Sequence, residues 1–558
     1  MEAVTRRREG WLALWCVLLG VALLGPALGR GPVLSYDMVW VPDLALHRDV
    51  LGLGSGLPRA VPSDAVVAAL DELVPGVLLQ KLVLLGALVG AGLGAARLVP
   101  GPMVARLAAA GIYEWNAFVV ERLLIGHWPV LVGYALLPWL LLLGRRWRGE
   151  GRLPSALLVL LPLASLSASA GLMSALALVA AAWGSGRRRV LVALLAAANA
   201  PWLVAGLVHA STATTDPAGA RAFALQDEGP VPGPLAALSL GGIWNGEVVP
   251  GSRTGALGWI TLAVVLALGA AGARRWRREG ERRDRTALLV CWAAGWLLAT
   301  ATWLAPGAVG WLGESVPGLG VVRDGARVLG LCAPLLAVLV GHGVAELAAR
   351  ARVATAAALL VAALLPVTLL PDAAGGARGA LDPATYPEAW AATRTALGSA
   401  DVEGDLLVLP LTAFRQPAWN HDRTVFDPLG RYLGHPYVAS DVLVVAGTPI
   451  AGEDPRVADA AAALAARTPR ERADRLRAAG IGGVVVDHDA PGAAAVPEVA
   501  GEQVVAHGSL TVTRLAGEPA ERPVSLGARL VVGAAWAAYV SLLVMAVLQN
   551  AVRRPKRC

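Results

Sequence analysis

Apolar runs of roughly 20 residues recur along most of this 558-residue chain, and they restrict its possible folds more than any other feature. An α-helix rises about 1.5 Å per residue, so each run is long enough to cross a hydrocarbon core about 30 Å thick. Apolar residues make up 56% of the chain and charged residues 16%, a composition that excludes a soluble enzyme. The sequence therefore predicts a polytopic α-helical membrane protein.

Arginines gather in short clusters between the apolar runs, which accounts for the net charge of +7. This distribution is typical of cytoplasmic loops, so we expect no nucleic-acid partner. With every cluster on the cytoplasmic side, the pattern predicts about twelve crossings of the plasma membrane and both termini in the cytoplasm. The clusters are Arg6–Arg8, Arg145–Arg148, Arg187–Arg189, Arg274–Arg285, Arg350 with Arg352, and Arg553–Arg557. The predicted crossings are 11–29, 79–99, 103–120, 128–144, 154–166, 170–183, 190–210, 256–273, 286–304, 326–349, 353–371 and 528–548.

Two alternatives stay open at this level. Residues 153–183 are flanked by arginine clusters and turn back at Ser165–Ser169, so they form either two short crossings or a re-entrant hairpin. The first apolar run ends in Ala27-Leu28-Gly29, a small-x-small pattern that a signal peptidase can cut. The first helix is therefore either an anchor for the first outer loop or a cleaved leader.

The longest stretch between predicted crossings, 372–526, is long enough for a core of its own. Strand-like and helical patterns alternate within it, which predicts a small extracytoplasmic α/β domain. The strand-like segments are Leu406–Leu409, Ile481–Val486 and the hairpin Glu502–Leu515, and the helical segment is Asp454–Gly480. We therefore expect a transmembrane domain at 1–371, the α/β domain at 372–526, and a last crossing with a basic cytoplasmic tail at 527–558.

Charges are costly in lipid, so polar residues at the outer ends of helices are the informative ones. The first such group, Ser35–Asp43, follows the first crossing. A carboxylate this close to the membrane surface is suited to act as general base, or to hold a metal, beside a lipid-linked substrate. Asp37 is the leading candidate and Asp43 its rival. The alternative is a solvated loop with aromatic anchors at the interface, which we favour for Asp43.

The second group lies in Tyr113–Trp128, at the outer turn between the third and fourth crossings. Here Glu121, Arg122 and His127 are suited to line a polar cavity, because arginine offers a planar fork for phosphate and histidine adds a donor. The alternative is that Glu121 and Arg122 are ordinary charges on a short interfacial helix.

The third group lies in Val316–Arg327, before the tenth crossing. In an α-helix, Arg323 and Arg327 are one turn apart and share a face near the N-terminus, where the helix dipole also favours an anion. This spacing predicts phosphate binding, with Asp324 in the same polar cavity. The alternative is a helix-end pair between Asp324 and Arg327.

In the outer segment, Trp419–Arg423 and Asp427 offer aromatic and polar groups suited to a sugar, although such residues also build turns. The histidines and cysteines show no zinc-binding spacing, and no nucleotide fingerprint or Ser-centred GxSxG elbow is present. We therefore predict no metal ligands.

Three segments resemble actinobacterial membrane glycosyltransferases of the GT-C type: the Asp37 loop, WNAFVVERLLIGHWPVLVGYALLPW and VPGLGVVRDGARVLGL. The likeness is greatest to the N-terminal membrane half of the α-(1→3)-arabinofuranosyltransferases. The chain is also similar to YfhO-type membrane proteins. Its outer segment, with the run VLPLTAFRQPAWNHDRTVFDP, resembles the equivalent domain of those proteins. The resemblance implies a GT-C-like fold, a polyprenyl-phosphate sugar donor and an acid in the first outer loop, which matches Asp37. No DxD or ExD pair stands there, so a divalent cation stays an open question.

These observations lead to a hypothesis of sugar transfer from a polyprenyl phosphate to a cell-envelope glycan or glycolipid, with membrane lipids as the surroundings. Asp37, or its rival Asp43, deprotonates the acceptor, and the donor phosphate is held by Arg122, His127, Arg323 and Arg327. The alternative is a non-catalytic envelope scaffold or a transporter of lipid-linked glycans. The sugar, the linkage and the acceptor are not specified by any motif.

Overall fold

The structure is a computed structural model that describes residues 2–57, 60–210, 217–315, 319–445, 447–450, 452 and 454–553. Residues 316–318 of the third polar group and 554–557 of the last basic cluster lie outside the described residues.

The described chain is mostly helical. In chain order its α-helices are α1 (Glu2–Leu24), α2 (Ser63–Asp71), α3 (Gly76–Leu98), α4 (Met103–Glu114), α5 (Ala117–Leu124), α6 (Trp128–Glu150), α7 (Ser155–Leu163), α8 (Ala168–Ala182), α9 (Arg188–Val208), α10 (Pro217–Ala222), α11 (Gly233–Ala236), α12 (Ala256–Glu279), α13 (Arg282–Leu304), α14 (Pro306–Ser315), α15 (Ala333–Arg350), α16 (Thr355–Leu369), α17 (Ala374–Gly379), α18 (Glu388–Leu397), α19 (Leu429–Leu433), α20 (Pro455–Leu464), α21 (Pro469–Ala478) and α22 (Leu526–Arg553).

Within the described residues, eight helices are long and apolar enough to cross a membrane. A ninth is counted if α16 and the segment after it, which are bent by 77°, form one broken span. The protein is therefore a multi-pass membrane protein, as predicted, but it has fewer long helices than the twelve predicted crossings. All twelve apolar runs are helical, and the difference comes from runs that are interrupted or short.

The run 103–120 is interrupted at Trp115–Asn116, between α4 and α5. The Asn116 side chain leaves the helix and accepts a hydrogen bond from the backbone N–H of Val119, at 3.1 Å, so it caps the new helix α5. At the start of α4, Arg106 pairs with Glu9 of α1. Helices α4 and α5 therefore connect the region of that ion pair to the Asp37 loop.

The segment 153–183 forms the helical pair α7 and α8, of 9 and 15 residues. These helices are about 14 and 22 Å long, which is short of a hydrocarbon core of about 30 Å. The first turn of α8 packs against the first third of α6, since a β-carbon on Gly133 would lie 2.7 Å from Ala170. The structure thus favours the re-entrant hairpin over two crossings.

The sheet region supports the predicted α/β architecture. A five-stranded sheet has the order β4-β1-β7-β9-β8, with β1 parallel to β4 and β7, and β9 antiparallel to β7 and β8. Two hairpins, β2–β3 and β5–β6, lie outside it. The strands are β1 (Asp405–Leu409), β2 (Phe414–Arg415), β3 (Val425–Phe426), β4 (Tyr437–Val438), β5 (Leu443–Val445), β6 (Thr448–Ile450), β7 (Ile481–Asp487), β8 (Glu502–His507) and β9 (Leu510–Arg514).

The predicted strands therefore appear as β1, β7 and the hairpin β8–β9. The predicted helix Asp454–Gly480 is divided into α20 and α21, because Thr468 caps a new helix that begins at Pro469. The largest buried apolar cluster includes Leu84 of α3, Phe118 of α5 and Leu406 of β1, so one core runs from the membrane helices into the sheet.

Candidate functional site

Asp37 lies in a tight turn between Ser35 and Val39. The backbone N–H of Met38 donates to the carbonyl of Ser35 at 2.8 Å, and Tyr36 has a positive φ of 44°. The turn lies against the end of α5, where the N–H of Asp37 donates to the carbonyl of Ile125 at 3.1 Å. The local sequence therefore presents the Asp37 side chain at the C-terminal end of α5.

Gly126 allows this close approach. Its φ is +84°, a left-handed conformation that favours glycine, and a β-carbon there would lie 2.0 Å from the backbone nitrogen of Met38. No side chain fits in that space. The glycine at position 126, within the second polar group, is thus required by the packing of the Asp37 loop.

The other side of the turn is held by the hairpin β2–β3. The N–H of Tyr36 donates to the carbonyl of Thr424 at 2.8 Å, and the N–H of Phe426 donates to the carbonyl of Tyr36 at 2.9 Å. Arg415 of the same hairpin is buried and forms ion pairs with Asp427 at 2.8 Å and with Asp487 at 2.6 Å. The ion pairs of Arg415 therefore hold the hairpin in place, and the backbone hydrogen bonds of Tyr36 attach the Asp37 turn to it.

His127 connects Asp37 to Arg122. Nε2 of His127 lies 3.2 Å from Oδ2 of Asp37, and Nδ1 lies 3.0 Å from Nη1 of Arg122. Arginine is always protonated, so Arg122 donates and Nδ1 accepts. The neutral imidazole consequently carries its proton on Nε2 and donates it to the Asp37 carboxylate.

Burial also keeps His127 neutral. Its side chain is 7% exposed, and burial, followed by the charge of Arg327, lowers the pKa of His127 to about 4. We expected His127 to bind the donor phosphate with its ring. Its contact with Asp37 instead suits a residue that orients the carboxylate.

Arg327 and Asp324 approach the same imidazole. Nη2 of Arg327 lies 3.3 Å from Nε2 of His127, and Nε of Arg327 lies 2.9 Å from Oδ2 of Asp324. Because Nε2 carries a proton, it does not accept a hydrogen bond from Arg327, so Nη2 of Arg327 can donate to another acceptor. The side chain of Arg327 is 35% exposed, whereas Arg122 is fully buried.

Asp324 neutralises part of this positive charge. Its Oδ2 atom lies 3.8 Å from Nη1 of Arg122 and also contacts Nε of Arg327. Burial acts to raise the pKa of Asp324, but the two arginines together lower it below its ordinary value. Asp324 is therefore ionised at neutral pH.

The backbone here differs from the expected α-helix. A 3₁₀ segment covers Gly325–Cys332, and Asp324 is its N-cap residue. A 3₁₀-helix has three residues per turn, so Asp324 and Arg327 are one turn apart, whereas Arg323 precedes the segment. The helix-end pair that was the alternative interpretation is present, and Arg323 lies 5.0 Å from the centroid of the Phe223 ring.

Glu121 points to a second charged group behind the site. Burial, followed by the charge of Glu228, raises the pKa of Glu121 well above its ordinary value. Glu228 accepts a hydrogen bond from Nε of Arg253 at 2.7 Å, and Nη2 of Arg253 donates to Ser239 at 2.9 Å. Glu228 and Arg253 were not predicted from the sequence, because isolated charges in a long loop carry no spacing signal.

Two other predicted sites are occupied by structural contacts. Among the described residues, Asp43 forms an ion pair with Arg394 of α18 and makes no hydrogen bond or ion pair with the Asp37 cluster. Trp419 packs its ring 5.2 Å from Tyr386 and 5.3 Å from Trp390. His421 contacts the carbonyl of Pro383. These contacts favour the turn-building interpretation of Trp419–Arg423.

No group of three or more His, Cys, Asp or Glu side chains suited to a metal occurs within the part of the chain that the structure describes.

No family model matches this chain, and no curated protein matches it by sequence. Solved structures do match its fold. The arabinofuranosyltransferase AftD from Mycobacteria has a TM-score of 0.56 and 17% identity over 92% of this chain and 40% of that one. A single-residue variant of AftD in two classes has TM-scores of 0.50 and 0.51 at 18% and 20% identity, again over 92% of this chain. The chain thus has an AftD-like fold and spans about two fifths of AftD's length.

Proposed function

We propose that this chain is a membrane glycosyltransferase that moves a sugar from a polyprenyl-phosphate donor to a hydroxyl of a cell-envelope glycan or glycolipid. The observation that carries the proposal is the contact of Asp37 with neutral His127, beside Arg327, where α5 meets α6. The likeness of fold to an arabinofuranosyltransferase supports the same class of reaction.

Asp37 acts as general base. Its side chain is 45% exposed, so an acceptor hydroxyl can reach it, while His127 and the backbone contacts of the turn hold its position. The acceptor proton passes to Asp37 as the acceptor oxygen bonds to the anomeric carbon. The bond from that carbon to the phosphate oxygen breaks, and polyprenyl phosphate leaves.

Arg327 meets the charge of the leaving phosphate. It is the partly exposed cation of the cluster, and guanidinium groups bind phosphate oxygens in pairs. Buried Arg122 contributes through its positive charge and its hydrogen bond to His127. Arg323 directly follows the 3₁₀ segment Leu319–Val322 and is a further proposed ligand for the donor.

The membrane arrangement belongs to the same proposal. The Asp37 cluster and the α/β domain at 372–526 face the outside of the plasma membrane, the transmembrane domain covers 1–371, and the last helix and basic tail at 527–558 return to the cytoplasm. The hydrogen bonds between Tyr36 and the β2–β3 hairpin support one common face for the cluster and this domain.

The test is sugar transfer by the purified full-length protein with a panel of polyprenyl-phosphate sugars and envelope acceptors. Asp37→Asn is compared with Asp43→Asn, a matched control in the same loop whose carboxylate pairs with Arg394. Loss of the base should lower turnover at least about 100-fold. The control should stay within about threefold, since an exposed ion pair contributes about 1 kcal/mol or less.

Equal activity of wild type and Asp37→Asn would refute the role of Asp37. If folded wild-type protein transfers no sugar from any donor, the non-catalytic scaffold or transporter becomes the better explanation. Thermal unfolding of each variant shows whether a loss of turnover comes from a loss of fold.

A further inference from the structure

Three aromatic rings stand together beside Asp37. Phe414 of β2 lies directly opposite Phe426 of β3, and the two ring centroids are 5.5 Å apart. Tyr36 adds a third ring, whose centroid lies 6.2 Å from that of Phe414. Because Tyr36 immediately precedes Asp37, this aromatic platform of Tyr36, Phe414 and Phe426 adjoins the proposed base.

Such a concentration of rings is unusual for this chain. Aromatic residues make up 5% of the sequence, and only four of the 558 residues are phenylalanine. Two of these four, Phe414 and Phe426, form a pair across strands of only two residues each. A cross-strand aromatic pair also stabilises a hairpin, so its exposure has to distinguish a structural role from a binding role.

The rings are not enclosed in the core. All three rings of the platform are partly exposed, and Tyr36 and Phe426 pack against the edge of the largest buried cluster. The hairpin has other anchors, since Val425 is fully buried and Arg415 forms two buried ion pairs. Partly exposed rings on a hairpin that is already anchored favour a binding surface.

A second side of Asp37 is closed by the protein's own contacts. Trp40 of the same loop and Trp128, the residue after His127, have ring centroids 5.1 Å apart and line a narrow cleft with Asp64 and Arg431. Trp40 is 2% exposed and Trp128 is 8% exposed, and Asp64 pairs with Arg431 at 2.8 Å. This cleft therefore has no room for a sugar ring.

Two approaches to Asp37 stay open. On the His127 side lies Arg327, whose side chain is 35% exposed and suits the donor phosphate. On the hairpin side lies the aromatic platform. The acceptor and the leaving phosphate cannot occupy the same place, so a donor at Arg327 leaves the platform side for the acceptor.

The platform has the chemistry of a sugar site. A sugar ring presents C–H groups on its faces and hydroxyls around its edge. Aromatic side chains pack against such apolar faces, and the Tyr36 hydroxyl can exchange hydrogen bonds with the edge. Binding sites of this kind combine aromatic walls with a few polar groups, which Asp37 and Tyr36 supply here.

We propose that the aromatic platform binds the penultimate sugar of an oligosaccharide acceptor while the terminal sugar presents its hydroxyl to Asp37. This inference rests on the proposed function and narrows its acceptor to a glycan of at least two sugars. The sugar next to the reacting one packs on Phe414 and Tyr36, and Phe426 supports both rings from the neighbouring strand.

The experiment compares sugar transfer by the full-length wild type and Phe414→Leu in detergent at saturating donor. Octyl glycosides with one, two or four sugar units are the acceptors. Phe414→Leu keeps an apolar side chain against Phe426 but removes the aromatic face, and Phe414→Trp restores such a face. Trp183→Leu is the matched control, because Trp183 is a 64% exposed ring at the end of α8, where Ala181 contacts Arg148 near the far end of α6.

Phe414→Leu should raise the KM of the two-unit and four-unit acceptors about tenfold and leave kcat and the donor KM within about twofold. The KM of the one-unit acceptor should not change, and neither Phe414→Trp nor Trp183→Leu should change any KM. If Phe414→Leu leaves every acceptor KM unchanged, or raises all three equally, the platform is overturned while the transfer reaction stands.

A wild type that transfers no sugar would contradict the proposed function, and the platform is then judged by binding alone. The methyl glycoside of the four-unit acceptor is titrated into wild type and Phe414→Leu by calorimetry. Binding about tenfold weaker in the variant supports the platform, whereas equal binding or no binding overturns it. If Phe414→Leu lowers the unfolding midpoint, Phe414→Met takes its place with the same expected results, because its flexible side chain fills the space with less strain.

Discussion

The buried, neutral state of His127 predicts a particular dependence of stability on pH. The pKa of His127 is lowered from 6.5 to about 4, by burial first and by Arg327 second. In the unfolded chain the imidazole is exposed to solvent and titrates near its ordinary value. Between the two values the unfolded state binds a proton that the folded state does not, so stability falls as the pH drops through this window.

The size of the effect follows from the two pKa values. The full difference corresponds to about 3 kcal/mol, lost once the pH is below both. At about pH 5 the loss relative to neutral pH is about 2 kcal/mol. This free energy is the cost of protonating the imidazole in the folded state, where the side chain is only 7% exposed.

The perturbation is His127→Gln, which keeps a hydrogen-bond donor and an acceptor but does not titrate. The free energy of unfolding of both proteins is measured in detergent by tryptophan fluorescence across this pH range. Wild type should lose about 2 kcal/mol more than the variant between neutral pH and about pH 5. A difference between the two proteins that stays constant with pH would refute the neutral, buried state of His127.

Three further predictions concern the same cluster. Gly126→Ala should displace the Asp37 loop and lower both sugar transfer and the thermal unfolding midpoint, because the added β-carbon would lie 2.0 Å from the backbone nitrogen of Met38. The control Gly86→Ala should leave both quantities unchanged, because a β-carbon at Gly86 has no atom within 4 Å. Arg327→Gln should lower kcat about 100-fold or more by removing a donor to the leaving phosphate, whereas an increase in KM alone would contradict that role. Asp324→Asn should lower the free energy of unfolding by about 3 kcal/mol, since it leaves the charge of buried Arg122 uncompensated, and an unchanged unfolding curve would show that the pair contributes little.

The candidate site was largely visible in sequence because its residues lie in three short polar groups within apolar surroundings. The structure brings Asp37, His127 and Arg327 into contact from all three groups. Their chemical roles stay predictions. Asp43 was the rival of Asp37 in the same loop, and its partner Arg394 lies far along the chain, where no local pattern connects them.

The fold shows the same division between local and long-range information. Apolar runs, arginine clusters and alternating strands were enough to predict a multi-pass helical protein with an α/β region, because hydrophobic burial and backbone hydrogen bonding act over neighbouring residues. The number of long helices was overestimated, because a cap such as Asn116 can end a helix inside an apolar run.

Local sequence thus determines where the helices and strands form, since periodicity, caps and glycines act within a few residues. Tertiary packing alone decides which polar groups meet. It sets the Asp37 turn between α5 and the β2–β3 hairpin, buries His127 so that it stays neutral, and joins Glu121 to Glu228. These outcomes depend on distances and burial between residues far apart in the chain, because charge interactions and desolvation follow spatial neighbours and not sequence neighbours.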